Sequence, residues 1–152
     1  MTRRRRSGFT FIELLVSMTI VGILASVAIP KYRDVKRMAL SAQLIGDFDV
    51  VRNAALTFYV DSSYFPREAS MGQTPRNMGR YLPETFEFTK QHWRLDYEHI
   101  VIRPSRWFAG LDIVGISART TDPDLRDFTM KRLGPGTTVR YGSKVMYVIS
   151  GL

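Results

Sequence analysis

The chain turns from polar to strongly apolar within its first ten residues. Residues 9–29 form a run of 21 positions in which Glu13 is the one charged side chain. As a helix this run measures about 31 Å, close to the ~30 Å hydrocarbon core of a bilayer. Beyond it, apolar residues recur every three or four positions at Leu40, Leu44, Phe48, Val51, Ala55 and Phe58. Gln43, Asp47 and Asn53 fall on other faces. The pattern predicts one long helix over residues 9–59, with its first half in a membrane and its second half laying an apolar stripe against a sheet. Asp61-Ser62-Ser63-Tyr64-Phe65-Pro66 supplies the turn formers that end it.

The period then shortens to two. Alternating or β-rich stretches predict strands at residues 86–88, 93–102, 111–118, 138–141 and 144–149. Residues 67–83, rich in Gly, Pro, Asn and Arg, read as a surface loop. Asp122 and Pro123 offer a cap and a first-turn proline for a short helix to about Leu133, stopped by Gly134. Gly142-Ser143 suits a two-residue hairpin turn. The expected fold class is α+β, a long N-terminal helix packed on a four- to five-stranded antiparallel sheet. The expected divisions are a leader at 1–8, a membrane and assembly helix at 9–30, its amphipathic continuation at 31–60 and a globular head at 61–152.

Charge refines the reading of the N-terminus. The formal net charge of +8 suggests nucleic acid at first, but four of the 22 basic residues are Arg3, Arg4, Arg5 and Arg6. Without them 18 basic side chains face 14 acidic ones, a net of only +4. Basic residues ahead of an apolar run favour leaving the leader in the cytoplasm, with the rest of the chain on the far side. Lys31, Arg33, Lys36 and Arg37 follow the run and are suited to headgroup contact. An ordinary secretory signal has a shorter apolar region that ends at a small-x-small site, which Ala25-Ser26-Val27-Ala28 can mimic. Here the small pair Ser7-Gly8 precedes the run, so cleavage there removes the charges and keeps the apolar segment.

Glu13 is the costly residue, at about 2–3 kcal/mol for an acidic side chain near the centre of a membrane helix. Cutting before Phe9 creates an amine four residues away, one helical turn, that can pair with Glu13 in the same chain or in a neighbour. The plainer alternative is a carboxylate that snorkels to the interface or stays protonated.

The segment GFTFIELLVSMTIVGILASVAIPKY resembles the signal of type IV pilins and type II secretion pseudopilins. Gly8 matches the residue before the cleavage site, and Phe9 the new N-methylated first residue. Glu13 matches the glutamate five positions into the mature chain, Gly22 the helix-weakening glycine, and Pro30 the proline ending the membrane-embedded stretch. The resemblance covers about a sixth of the chain. It implies the ladle fold of that family, processing by a prepilin peptidase, and assembly with identical and related subunits by an inner-membrane platform and its ATPase. Glu13 would then meet the Phe9 amine of a neighbour, a pairing that fixes register. It also implies a single-pass inner-membrane protein, in contact with lipid, whose C-terminal domain is extracytoplasmic before it joins a filament. Presence of Glu13 argues against the tip subunit that lacks this residue.

The remaining chemistry is sparse. With no cysteine, disulfides and thiolate metal sites are excluded. His92 and His99 are seven apart on a strand and have no metal or catalytic spacing. No cofactor is expected. Asp122, Asp124 and Asp127 leave calcium open as an alternative, although a helix N-terminus also attracts acidic residues. Trp93 and Trp107 read as core or subunit contact. Arg103, Arg106, Arg119, Arg126, Lys131, Arg132, Arg140 and Lys144 would serve a DNA receptor only if they shared a stripe, so nucleic acid is not the expected partner. No phosphate loop or nucleophile elbow is present, and the chain is not expected to be an enzyme.

Overall fold

In the computed structural model, which describes residues 8–102, 106 and 111–151, helix α1 occupies Phe11–Ser62 as 52 continuous residues. It starts two residues later than the hydrophobic pattern suggests, because Thr10 caps it. Pro30 lies inside it. Proline has no N–H, so the Ser26 carbonyl goes without its usual helical partner. Ser26 Oγ donates nearby to the Ile23 carbonyl at 2.7 Å. The chain divides into two compact units, the first ending at Lys36 and the second beginning at Arg37.

In the first unit the large apolar side chains from Phe9 to Ile29 are solvent-exposed. Among the described residues α1 is the one helix long and apolar enough to cross a membrane.

In the second unit the stripe read from the sequence becomes the core. Leu44, Phe48, Val51, Ala54 and Ala55 pack with Trp93, Leu95, Tyr97, Val114, Ile116 and Ala118. The sheet is antiparallel throughout, in the order β1-β2-β4-β3, with β1 Trp93–Ile102, β2 Leu111–Thr120, β3 Thr138–Tyr141 and β4 Lys144–Gly151. Phe48 stacks on Tyr147 of β4 with ring centroids 5.9 Å apart. Helix α2, Pro123–Leu133, is capped by Asp122, whose carboxylate accepts from the Asp124 and Leu125 amides. Thr129 of α2 donates to Ser41 of α1 across 3.2 Å in a buried contact.

Two glycines are dictated by local geometry. A Cβ at Gly115 would lie 2.6 Å from Met146 Cε and 2.9 Å from the Tyr147 carbonyl oxygen. The β2–β4 register shifts between Val114 and Gly115, so this bulge needs a residue without a side chain. Gly142, at φ 58°, opens the β3–β4 hairpin in a conformation that costs other residues more.

Residues 86–88 are not a strand. The Phe86 amide turns back onto the Pro83 carbonyl at 2.9 Å, and the two phenylalanines meet edge to face at 5.6 Å. Their spacing of two mimics β alternation while a turn sets the backbone. Thr89 alone bridges Arg94. The first part of the outer edge of β1 is nonetheless occupied, since Leu95 N–H donates to the Phe88 carbonyl, Lys90 N–H to the Trp93 carbonyl and Gly72 N–H to the Leu95 carbonyl.

Candidate assembly site

Thr10 and Glu13 form a reciprocal cap at the start of α1. The Glu13 carboxylate accepts from the Thr10 amide at 2.9 Å and from the Thr10 hydroxyl at 2.8 Å. The Glu13 amide donates back to Thr10 Oγ1 at 3.3 Å. This is the capping box, in which a hydroxyl at the cap and a glutamate three residues on satisfy each other's orphan donors. The reading of Glu13 as an isolated acid in an apolar run missed it. The signal was available as Thr10-x-x-Glu13 ahead of apolar residues.

Gly8 and Phe9 precede this cap, and both are exposed. Phe9 nitrogen belongs to a peptide bond in the uncut chain, so an amine partner for Glu13 exists only after the Gly8–Phe9 bond is broken. Residues 1–7 of the expected leader lie outside the described residues. Gly22 has open space around it, with no atom within 4 Å of a hypothetical Cβ. Pro30 comes eight residues later with its missing donor. The structure therefore brings Glu13 together with Thr10, while Gly22 and Pro30 stand further along the same helix.

The second unit is fastened by buried polar contacts. Asp47 on α1 accepts from Trp93 Nε1 at 2.9 Å and from Lys90 Nζ at 2.8 Å. On the sheet face away from α1, Lys144 of β4 reaches across β2 to Asp96 at 3.0 Å and Glu98 at 2.8 Å. Ser117 donates to Glu98 at 2.7 Å. Burial raises the Asp96 carboxyl above its ordinary range. Burial also acts to raise Glu98, but its bonds from Lys144 and Ser117 win and leave it below the ordinary range. Desolvation pulls Lys144 down, yet its two carboxylate partners hold its pKa above the usual lysine value. Tyr97, buried beneath this network with no partner for its hydroxyl among the described residues, is pushed well above an ordinary phenol by desolvation.

The histidines do different things. His99 ring nitrogens lie 3.1 Å from the Pro66 carbonyl and 2.9 Å from an Asp112 carboxylate oxygen, tying the loop to the sheet. His92 stands beside Trp93, ring to ring at 6.3 Å. Trp93 is core, and Trp107 lies outside the described residues. Asp122 caps α2, Asp124 pairs with Arg37 and Asp127 pairs with Arg126.

The basic residues singled out for a DNA stripe are scattered over separate elements. Arg126, Lys131 and Arg132 are on α2 and Arg140 is on β3. Arg119 and Lys144 share the outer sheet face, where Lys144 is neutralised. Arg106 is exposed, and Arg103 lies outside the described residues.

The profile of the prokaryotic N-terminal methylation motif matches residues 3–29. The chain is 35% identical over 66 residues to the type II secretion system core protein G of Aeromonas hydrophila, covering 43% of this chain and 46% of the relative. It is 32% identical over 82 residues to the type IV major pilin protein PilE of Neisseria gonorrhoeae, covering 52% and 49%. Against the type II secretion system core protein G of Vibrio cholerae the identity is 30% over 108 residues, covering 64% of this chain and 72% of the relative. The chain thus spans about half the length of the first two relatives. No solved structure gives a significant match.

Proposed function

We propose, from the premise that the chain belongs to the type IV pilin-like family of pilins and type II secretion pseudopilins, that it is a pseudopilin, a structural filament subunit acting in protein export. One observation carries the reading. A single acid, held by a cap rather than by a fixed charge, begins an exposed apolar helix shortly after the Gly8–Phe9 bond.

A prepilin peptidase cuts between Gly8 and Phe9 and methylates the new amine. The apolar helix holds the subunit in the inner membrane, with its C-terminal domain outside the cytoplasm. The Thr10 donors keep Glu13 hydrogen-bonded while it waits, lowering the cost of a carboxylate in an apolar setting. On assembly, driven by the platform and its ATPase, the Phe9 amine of a neighbour becomes the counter-charge. Two charges costly alone are tolerated together, and their meeting sets the register of the incoming subunit. Gly22 lowers helix stability by about 1 kcal/mol relative to alanine and Pro30 removes a backbone bond, so the stretch between them is where the helix gives way.

A true pilus subunit is the second reading, favoured by the similarity to the gonococcal pilin. The longer match to the Vibrio protein, which reaches into the head, supports the secretion reading.

The test is Glu13→Ala expressed beside the wild type. Mass spectrometry of the membrane form is expected to show a methylated phenylalanine at residue 9 in both proteins. Sheared fibres are expected to contain the wild type and to lack the variant. Efficient incorporation of the variant would refute the register role, and an intact arginine leader in cells with an active peptidase would refute the whole reading.

A further inference from the structure

Arg94 on β1 and Arg119 on β2 are direct cross-strand partners in the sheet register. Arg119 is in turn the register partner of Lys144 on β4, so three cations stand in one row on the outer face. Directly opposed Cβ atoms sit about 4.5–5.5 Å apart, and like charges at that spacing destabilise a sheet. Lys144 escapes the clash by bending to Asp96 and Glu98. Both arginines are exposed, and among the described residues neither has a carboxylate in salt-bridge range. The nearby acids Asp96 and Glu98 both bond the lysine, through Asp96 Oδ2 and Glu98 Oε1. The fold therefore sets two exposed arginines in register with no ion-pair partner for either among the described residues.

We infer that Arg94 and Arg119 form a binding site for a tetrahedral oxyanion of the phosphate or sulfate class. Arginine presents a rigid planar fork of N–H donors that matches a pair of oxygens. A carboxylate has one such pair and saturates one fork. A tetrahedral oxyanion offers a separate oxygen edge to each of two forks, and its double charge matches the two guanidiniums. Binding converts the cross-strand repulsion into attraction, so the anion also stabilises the β1–β2 pair. The inference does not depend on the filament reading, since it concerns the folded head alone.

The full chain in an uncharged detergent is titrated calorimetrically at constant ionic strength with inorganic phosphate, sulfate, phenyl phosphate and acetate. Phosphate and sulfate are expected to bind the wild type, and acetate is not. Arg94→Gln and Arg119→Gln are each expected to weaken binding about tenfold, the loss of one charge-assisted contact. In the same buffers lacking these anions, both variants are expected to melt at or above the wild-type temperature because the repulsion is gone. Phenyl phosphate binding as tightly as phosphate assigns an esterified group on a larger molecule, and its exclusion assigns the free anion. Equal binding by acetate, no binding by phosphate or sulfate, or full affinity in both variants overturns the proposal.

Discussion

Asp47 shows how one polar side chain can decide the packing of a helix. It is buried, and both carboxylate oxygens are used, one by the Trp93 indole and one by Lys90. Asp47→Ala leaves the indole N–H with no acceptor in a dry site, an expected cost of about 2–3 kcal/mol. Trp93 lies in the affected pocket, so its fluorescence during urea unfolding of the full chain in detergent is a direct readout. An unchanged midpoint would mean that water replaces the carboxylate. The hydrophobic pattern placed Asp47 off the apolar stripe, but it lies on the buried face of α1 with Leu44, Phe48 and Val51, one helical turn from Leu44 and from Val51. Its partners are 43 and 46 residues away, a separation that no local pattern encodes. Glu13 was legible as an anomaly because it interrupts an apolar run. Its cap was also written locally, in the Thr10 hydroxyl three residues ahead of the acid.

At the scale of the element, α1 was legible in nearly full length because its period persists over many turns. Its ends shifted by two or three residues, where capping rather than hydrophobicity sets the boundary. The strands after residue 92 were legible from alternation and the hairpin from its glycine. The false strand at 86–88 had the right spacing for the wrong reason. Within α1, a side chain at Gly22 would meet no other part of the protein among the described residues, so its effect is confined to backbone stability. Gly22→Ala is expected to strengthen the local helix by about 1 kcal/mol, which slows amide exchange over residues 20–30 roughly fivefold. Exchange rates unchanged in detergent micelles would remove Gly22 as the weak point of the helix.

For the whole molecule, the network beneath the outer sheet face makes stability depend on alkaline pH. Tyr97 and Lys144 both hold their protons more tightly when folded than a free phenol or lysine does. The unfolded chain therefore loses those protons first as pH rises, and the stability they contribute falls from about pH 10 upward. On the acid side Asp96 and Glu98 shift in opposite directions, so their effects offset. Thermal melts are expected to decline steeply above pH 10, and Tyr97→Phe should make that decline shallower; identical slopes would assign the alkaline loss elsewhere. None of this network was visible in the linear sequence, because Asp96, Ser117 and Lys144 become neighbours only when β2 lies between β1 and β4. The partly covered rim of β1 has a further consequence. A protein that works by accumulating copies of itself at high local density is exposed to runaway strand-on-strand growth. Here residues 72, 88 and 90 occupy the start of the β1 edge, at Trp93 and Leu95, and the opposite edge presents only the four residues of β3, including the charged Arg140. Crowded subunits are thus steered away from irreversible cross-β aggregation, and their association is left to surfaces that can let go.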